Sequence, residues 1–343
     1  MPDFFALPAS EQRAALLYAA DQSGSPAYLL EKDIWVVWAL QTLFASVHAA
    51  HLVFKGGTSL SKAYRIIWRF SEDVDLTYDI RAIAGDLVDS AAENPVPRSR
   101  SQEQRWTKEI RGRLSKFIAN EIIPELSHAL QRGNLPAKLR ADEEKIFIEY
   151  APLVPPSAYV RAAVALEFGA RSSGQPNESK PIVCDASAYI PGVDFPTAAP
   201  QVMLPERTFW EKATAVHVFC AQGRFRGGER FSRHWHDLTR LDRAQIVDRA
   251  VADRTLAQAV ADHKAAFFLE KDPAGRRIDY QAAVSGKLCL VPDGPSLKSL
   301  EADYHHMVED GLLREDAEPF RQLLVECKHI QDKTNDRMKP ERS

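Results

Sequence analysis

Phe54-Lys55-Gly56-Gly57-Thr58-Ser59-Leu60, followed by Arg69-Phe70-Ser71-Glu72-Asp73-Val74-Asp75-Leu76, is the stretch that decides the fold. His51 to Lys55 is a short apolar run that reads as a strand, and it closes on two glycines. A helix is expected to begin at Thr58 or Ser59. Glycines let the backbone pass close to a ligand, and the unpaired N–H groups of a helix start suit phosphate oxygens. Val74 to Ile80 alternates with period two, so Asp73 and Asp75 point from one strand face while Val74 and Leu76 point into a core. Two such carboxylates repel each other without a cation. Mg²⁺ is usually held by one or two carboxylates together with substrate phosphates. A phosphate-cradling turn beside a metal-holding pair is the equipment of phosphoryl or nucleotidyl transfer. Either element alone reads more simply, as a β-turn or an acidic strand end; their succession favours the joint reading. No GKS or GKT follows the glycines, so this is not a Walker A loop.

Around this stretch the first half mixes both periodicities. Ser10 to Ala20, Leu29 to Val47 and Leu60 to Trp68 read as helices, and Lys145 to Tyr150, Tyr159 to Arg171 and Lys180 to Cys184 as strands. Residues 91–103 form a Pro/Ser-rich break. Gln104 to Gln131 then reads as a long helix kinked or broken near Pro124. From Pro205 the chain turns helical: Glu206 to Cys220, Ser232 to Leu241, Thr255 to Glu270, Ser296 to Val308 and Asp316 to Asp332. Strands followed by helices predict an α+β core over 1–204 and a mainly helical domain over 205–343. The 343 residues are enough for two domains.

Composition narrows the function. With 45% apolar and 27% charged residues the chain is globular, and a net charge of −3 announces no bulk affinity for nucleic acid or an anionic membrane. No apolar run approaches the roughly 20 residues of a membrane span, and the N-terminus lacks a secretory signal pattern. Cys184, Cys220, Cys289 and Cys327 form no CxxC pair, which favours reduced thiols in a cytoplasm.

The Gly56-Gly57-Thr58-Ser59-Leu60 and Arg69 to Leu76 motifs together resemble the first motif of the AbiEii/MenT nucleotidyltransferase toxins, members of the DNA polymerase β-like superfamily. Upstream, Glu31-Lys32-Asp33-Ile34-Trp35 is similar to that family's EKD-aromatic helix. Downstream, Val164 to Arg171 resembles its central strand, Leu204 to Ala213 its lysine helix, and Arg233-His234-Trp235-His236-Asp237-Leu238 its R-H-x-x-D-L motif. The likeness covers about residues 25–245. It implies a polymerase β-like α+β core with catalytic roles at Lys212 and Asp237. It also implies a toxin acting with a cognate antitoxin in phage defence, and an RNA acceptor, the tRNA acceptor end.

The residues themselves bear on several of these roles. On a helix at 100° per residue, Lys212 shares its face with Phe209, Ala215, Val216 and Phe219, while Glu206, Arg207, Trp210, Glu211, Thr214 and His217 fall on the other side. A lysine amid an apolar stripe meets an anion or snorkels to water. Asp237 lies on the face of Arg233, His234 and Leu241, behind a possible Ser232 cap, and its simpler reading is a structural Asp–Arg pair. Polymerase β-like enzymes commonly carry a third carboxylate on a neighbouring strand; Glu167, between Leu166 and Phe168, is either that metal ligand or an edge residue paired with Arg171. Residues 98–116 hold seven basic residues against Glu103 and Glu109, a local +5. Arg224, Arg226, Arg230 and Arg233 surround Phe225, Gly227, Gly228 and Phe231. Both segments are candidates for phosphate or RNA contact, and a solvated charged face is the plainer alternative.

The expected activity is transfer of a nucleoside monophosphate from a triphosphate co-substrate, with Mg²⁺ or Mn²⁺. Asp73 and Asp75, joined by Glu167, would hold the metal. Gly56, Gly57, Thr58, Ser59, Lys212, Arg224 and Arg226 would take the triphosphate, and Asp237 would activate the acceptor or position Lys212. One alternative is an HD-type metal phosphohydrolase built on His234-x-His236-Asp237, which leaves the glycine turn and Asp73-Val74-Asp75 unexplained. The other is a catalytically silent RNA- or protein-binding module.

Overall fold

Among the described residues there are nine strands, the central ones formed where short apolar runs alternate. They are β1 (Leu52–Lys55), β2 (Asp73–Tyr78), β3 (Ala137–Asp142), β4 (Lys145–Tyr150), β5 (Ala163–Gly169), β6 (Asn177–Ser179), β7 (Ile182–Val183), β8 (Thr197–Ala198) and β9 (Gln201–Met203). This computed structural model describes all residues except 70, 72, 157–160, 224–229, 310, 314–316 and 340–343. Seven strands make one mixed sheet in the order β3-β4-β5-β2-β1-β9-β6, and β7 and β8 form a separate pair. In its centre β2 runs antiparallel to β1 and parallel to β5. Register follows the period-two pattern: Val74, Leu76, Val164, Leu166, Ile146 and Ile148 are all fully buried. The mixed α/β architecture agrees with the sequence.

The chain divides into two compact units. The first comprises Met1–Ala63, Ser71–Ser90 and Lys108–Met203; the second comprises Tyr64–Phe70, Ala91–Thr107 and Leu204–Ser343. A single cut after 204 therefore leaves out two upstream segments that pack with the helical half. The first unit contains the whole sheet and the helix Ala27–Phe44, which packs on β5 and on the helix Ile123–Arg132. That helix is buried on almost every side, with Ile34, Val37, Leu40 and Leu43 inaccessible.

Three local features depart from the sequence expectation. The helix after β1 spans Gly56–Lys62, starting on the glycines and stopping well short of Trp68, because Arg65 adopts a left-handed φ of 52°. The expected break near Pro124 is a π-helical turn, Ile118–Ile122, joining the helices Arg100–Phe117 and Ile123–Arg132. Proline has no N–H for the bond an α-turn would need, and a widened turn absorbs that defect. Buried Ile110, Leu114, Ile118, Ile122, Leu126 and Leu130 recur every fourth residue through it. The sequence does not mark the hairpin partner β3 because AKLRAD has no apolar run; four of its six residues are exposed and the other two half-buried at the sheet edge.

In the second unit the Pro205–Gln222 helix is surrounded by the helices Arg233–Arg243, Ile246–Ala252, Arg254–Phe267 and Tyr280–Ala283. Arg207, Trp210, Thr214 and His217, read as an outer face, are buried too. Buried indoles are anchored by hydrogen bonds: Trp210 Nε1 donates to Ala250 O at 3.0 Å and Trp235 Nε1 to Leu290 O at 2.6 Å. No helix among the described residues is long and apolar enough to cross a membrane.

Candidate active site

Gly56 is where the two halves of the opening motif meet. Its φ is +81°, a conformation that disfavours side chains, and a Cβ there would lie 2.0 Å from Asp75 Oδ2. Only glycine lets the Asp75 carboxylate lie against the turn. Thr58 Oγ1 donates to Asp73 O, tying the short helix to β2, and Ser59 Oγ donates to Gly56 O at 2.9 Å. Both hydroxyl protons are thus engaged internally. Gly57, Thr58 and Ser59 are buried, so the turn offers its first-turn backbone N–H groups rather than free hydroxyls.

Asp73 and Asp75 are half-buried on one face of β2, and the parallel pairing with β5 sets Asp75 opposite Glu167. Glu167 does not pair with Arg171. Lys145 on β4 is its cross-strand neighbour, and the ammonium donates to its carboxylate. That hydrogen bond, joined by the charges of Glu167, Asp73 and Asp75, holds the Lys145 pKa above the usual lysine value. Among the described residues no three His, Cys, Asp or Glu side chains converge as a ready metal cage. Two carboxylates on one strand face suit a hard cation that takes its remaining oxygens from water and substrate, so the donor set fits Mg²⁺ or Mn²⁺.

Behind the turn the helix is clamped. Lys62, at its last residue, reaches Asp33 at 2.6 Å and Asp185 at 2.7 Å, and Asp33 Oδ2 accepts from the Asp185 backbone N–H at 2.7 Å. Burial works against the Lys62 charge, yet the two aspartates hold its pKa above the ordinary range. Glu31 accepts from the backbone N–H groups of Leu153 and Val154 at 2.8 and 3.2 Å. The Glu31-Lys32-Asp33 motif therefore fastens loops and the glycine-turn helix.

Lys212 and Asp237 belong to the second unit. Asp237 is 0% exposed and receives Arg69 through both guanidinium arms, Nε at 2.6 Å and an Nη at 2.8 Å, with Lys212 Nζ at 2.8 Å. Burial alone would raise the Asp237 pKa, but Arg69 and Lys212 hold it well below the usual carboxylate range. Burial also pulls Lys212 below the ordinary lysine value; Asp237 opposes the fall and Arg69 adds to it. The arginine partner is Arg69, not Arg233. Ser232 makes no side-chain cap: its hydroxyl donates to Met307 Sδ at 2.9 Å. Arg69 stands in the motif quoted at the outset, yet nothing local marks it as a partner for a residue 168 positions away. Lys145 and Lys62 were likewise missed.

Among the described residues the hydrolase alternative finds no group of three or more His, Cys, Asp or Glu side chains that could hold a metal. Two cations occupy the oxygens of Asp237, and the buried His234 Nδ1 and His236 Nε2 have no hydrogen-bond partner among the described residues. Arg224 and Arg226, with Phe225, Gly227 and Gly228, lie outside the described residues. In the other basic segment, Arg113 is engaged by Asp86 and Arg111 by Glu144, while Arg105, Lys108 and Lys116 are exposed.

A glycine turn under an acidic strand pair, carried by a mixed sheet, defines a nucleotidyltransferase, and the comparison with known families agrees. The chain belongs to the nucleotidyl transferase AbiEii toxin family of type IV toxin–antitoxin systems, whose model matches residues 38–326. No curated protein matches the chain. Among solved structures it is similar to MenT4, a nucleotidyltransferase toxin from Mycobacterium tuberculosis H37Rv, at 16% identity over 97% of this chain and 100% of that one, with a TM-score of 0.39.

Proposed function

We propose that this nucleotidyltransferase moves a nucleoside monophosphate from a triphosphate to a hydroxyl of RNA, with the tRNA acceptor end as the favoured acceptor. The observation that carries the reading is the Asp75 carboxylate lying against Gly56, with Asp73 on the same strand face. Asp73 and Asp75 hold a divalent cation, Mg²⁺ or Mn²⁺, which when bound offsets phosphate charge and orients the reacting oxygens. Glu167 is the third carboxylate within the register. The Gly56–Ser59 turn takes phosphate oxygens through backbone N–H groups, and Lys212 is the lysine to which the family resemblance gives a catalytic role. The acceptor hydroxyl attacks the α-phosphorus in line and gives up its proton to solvent as the bond to pyrophosphate breaks and pyrophosphate leaves. Asp237 positions Lys212: its full burial and engaged oxygens favour that role over proton abstraction from an acceptor.

The biological setting is a cytoplasmic toxin held in check by its antitoxin in phage defence, a reading the lack of any CxxC pair among the four cysteines favours. Arg224 and Arg226, with exposed Arg105 and Lys108, guide the RNA. The test is incubation with each labelled nucleoside triphosphate and total cellular RNA, with and without divalent metal. Label should appear on RNA with the wild type and vanish with Asp73→Asn or Asp75→Asn, which remove a charge from a crowded acidic face and leave the fold standing. Near wild-type transfer by either variant at saturating metal sinks the assignment. Label on protein instead of RNA sinks the acceptor. Arg224→Glu with Arg226→Glu should lower RNA labelling more than triphosphate binding, and salt should weaken RNA binding steeply. Expression without antitoxin should arrest growth, and Asp75→Asn should relieve it.

A further inference from the structure

Asp73, Asp75 and Glu167 lie in register on two adjoining strands, an arrangement that concentrates negative charge on one face. Lys145, the first residue of β4, brings a cation to that face and bonds to Glu167 from the next strand. Its charge is also felt by Asp73 and Asp75. Side-chain exposures of 46% for Lys145 and 32% for Glu167 put the pair in the class of ion pairs worth at most about 1 kcal/mol, so it can be opened without unfolding the sheet.

We infer that Lys145 is a positioning residue that sets divalent-metal affinity by keeping Glu167 off the Asp73–Asp75 pair. This rests on the metal reading above. With Glu167 engaged, the face presents two carboxylates and a nearby positive charge, which leaves the ion weakly held until substrate phosphates supply further oxygens. With Glu167 released, three carboxylates would bind the ion tightly without nucleotide. Lys145 thereby makes the metal arrive with its triphosphate.

Mn²⁺ binding to the full chain without nucleotide, read from the electron paramagnetic resonance signal of the free ion, tests this. Lys145→Met should tighten Mn²⁺ binding about tenfold or more, because a repelling charge is lost and a carboxylate gained. Lys145→Arg should restore wild-type affinity to within about twofold, and Lys145→Met with Glu167→Gln should return to within about threefold, both differences smaller than half a decade. A purely structural lysine would shift the melting temperature in EDTA without moving Mn²⁺ affinity. Unchanged affinity in Lys145→Met, with binding still lost in Asp75→Asn, overturns the inference and leaves the metal reading standing. A double variant as tight as Lys145→Met overturns the role of Glu167. Equal binding by wild type and Asp75→Asn removes the metal reading and this inference with it.

Discussion

Replacing Asp237 by Asn would leave Arg69 and Lys212 buried with no counter-charge. The carboxylate is 0% exposed and receives three charged contacts at 2.6 to 2.8 Å. Removing one partner of a buried pair costs about 3–5 kcal/mol, mostly the penalty of stranding the other charge. Here two cations are stranded, so the upper end is expected. Lys212→Met is the contrasting case. It leaves Asp237 bound by both arms of Arg69 and relieves a lysine whose pKa burial already depresses, so its cost should lie within about 1 kcal/mol of zero on either side. The double variant should be less unstable than Asp237→Asn alone, since one stranded cation is gone. Urea denaturation followed by tryptophan fluorescence, with Trp210 and Trp235 buried in the same unit, measures all three. At about 2–3 kcal/mol per molar of urea, the Asp237→Asn midpoint should fall by about 1.7–2.5 M. A fall under about 0.3 M, or an equal loss in Lys212→Met, would refute the view that Asp237 is the anion that keeps this cluster charged.

Further outcomes follow from the same geometry. Gly56→Ala should abolish transfer while the core stays folded, because its Cβ would displace the Asp75 carboxylate and the backbone strain is only about 1–3 kcal/mol; circular dichroism beside the transfer assay checks it. Lys62→Met should lower the melting temperature by stranding Asp33 and Asp185. The Lys62 pKa is raised in the folded state, so its contribution is fully present below the unfolded lysine pKa of about 10.4 and fades as pH rises through the higher folded value. The stability gap between wild type and Lys62→Met should accordingly stay flat from neutral pH to about 9 and narrow only at strongly alkaline pH; a gap that closes between pH 6 and 8 would contradict the clamp.

Much of the fold was legible because its elements bury apolar residues at fixed periods. The Ala27–Phe44 helix, β2 and β5 show this, and the glycine turn and acidic pair lay close enough in sequence to be read together. What escaped was non-local or polar. β3 carries almost no buried side chain, and β9 is three residues long. Arg69 finds Asp237 across 168 residues and Lys145 finds Glu167 across 22, pairings that charge and spacing alone do not specify. The lysine helix was read as having one apolar stripe, whereas neighbours on several sides bury it nearly all round.

The π-helical turn at Ile118–Ile122 carries a record of chain length. In an α-helix four residues advance 400°, so a stripe of buried side chains at every fourth position drifts about 40° per step. The wider turn takes up about one extra residue, and it slows that drift where Ile118 gives way to Ile122 and Leu126. Loss of a single residue inside it would restore α winding and leave the Leu126–Leu130 face on the core, whereas a residue lost from the regular α-helix before it would swing the two halves of the stripe about 100° apart. Relatives one residue shorter within 118–122 should therefore keep the apolar pattern of the stretch matching 123–132, leaving the ancestry of this segment readable as a local change of spacing.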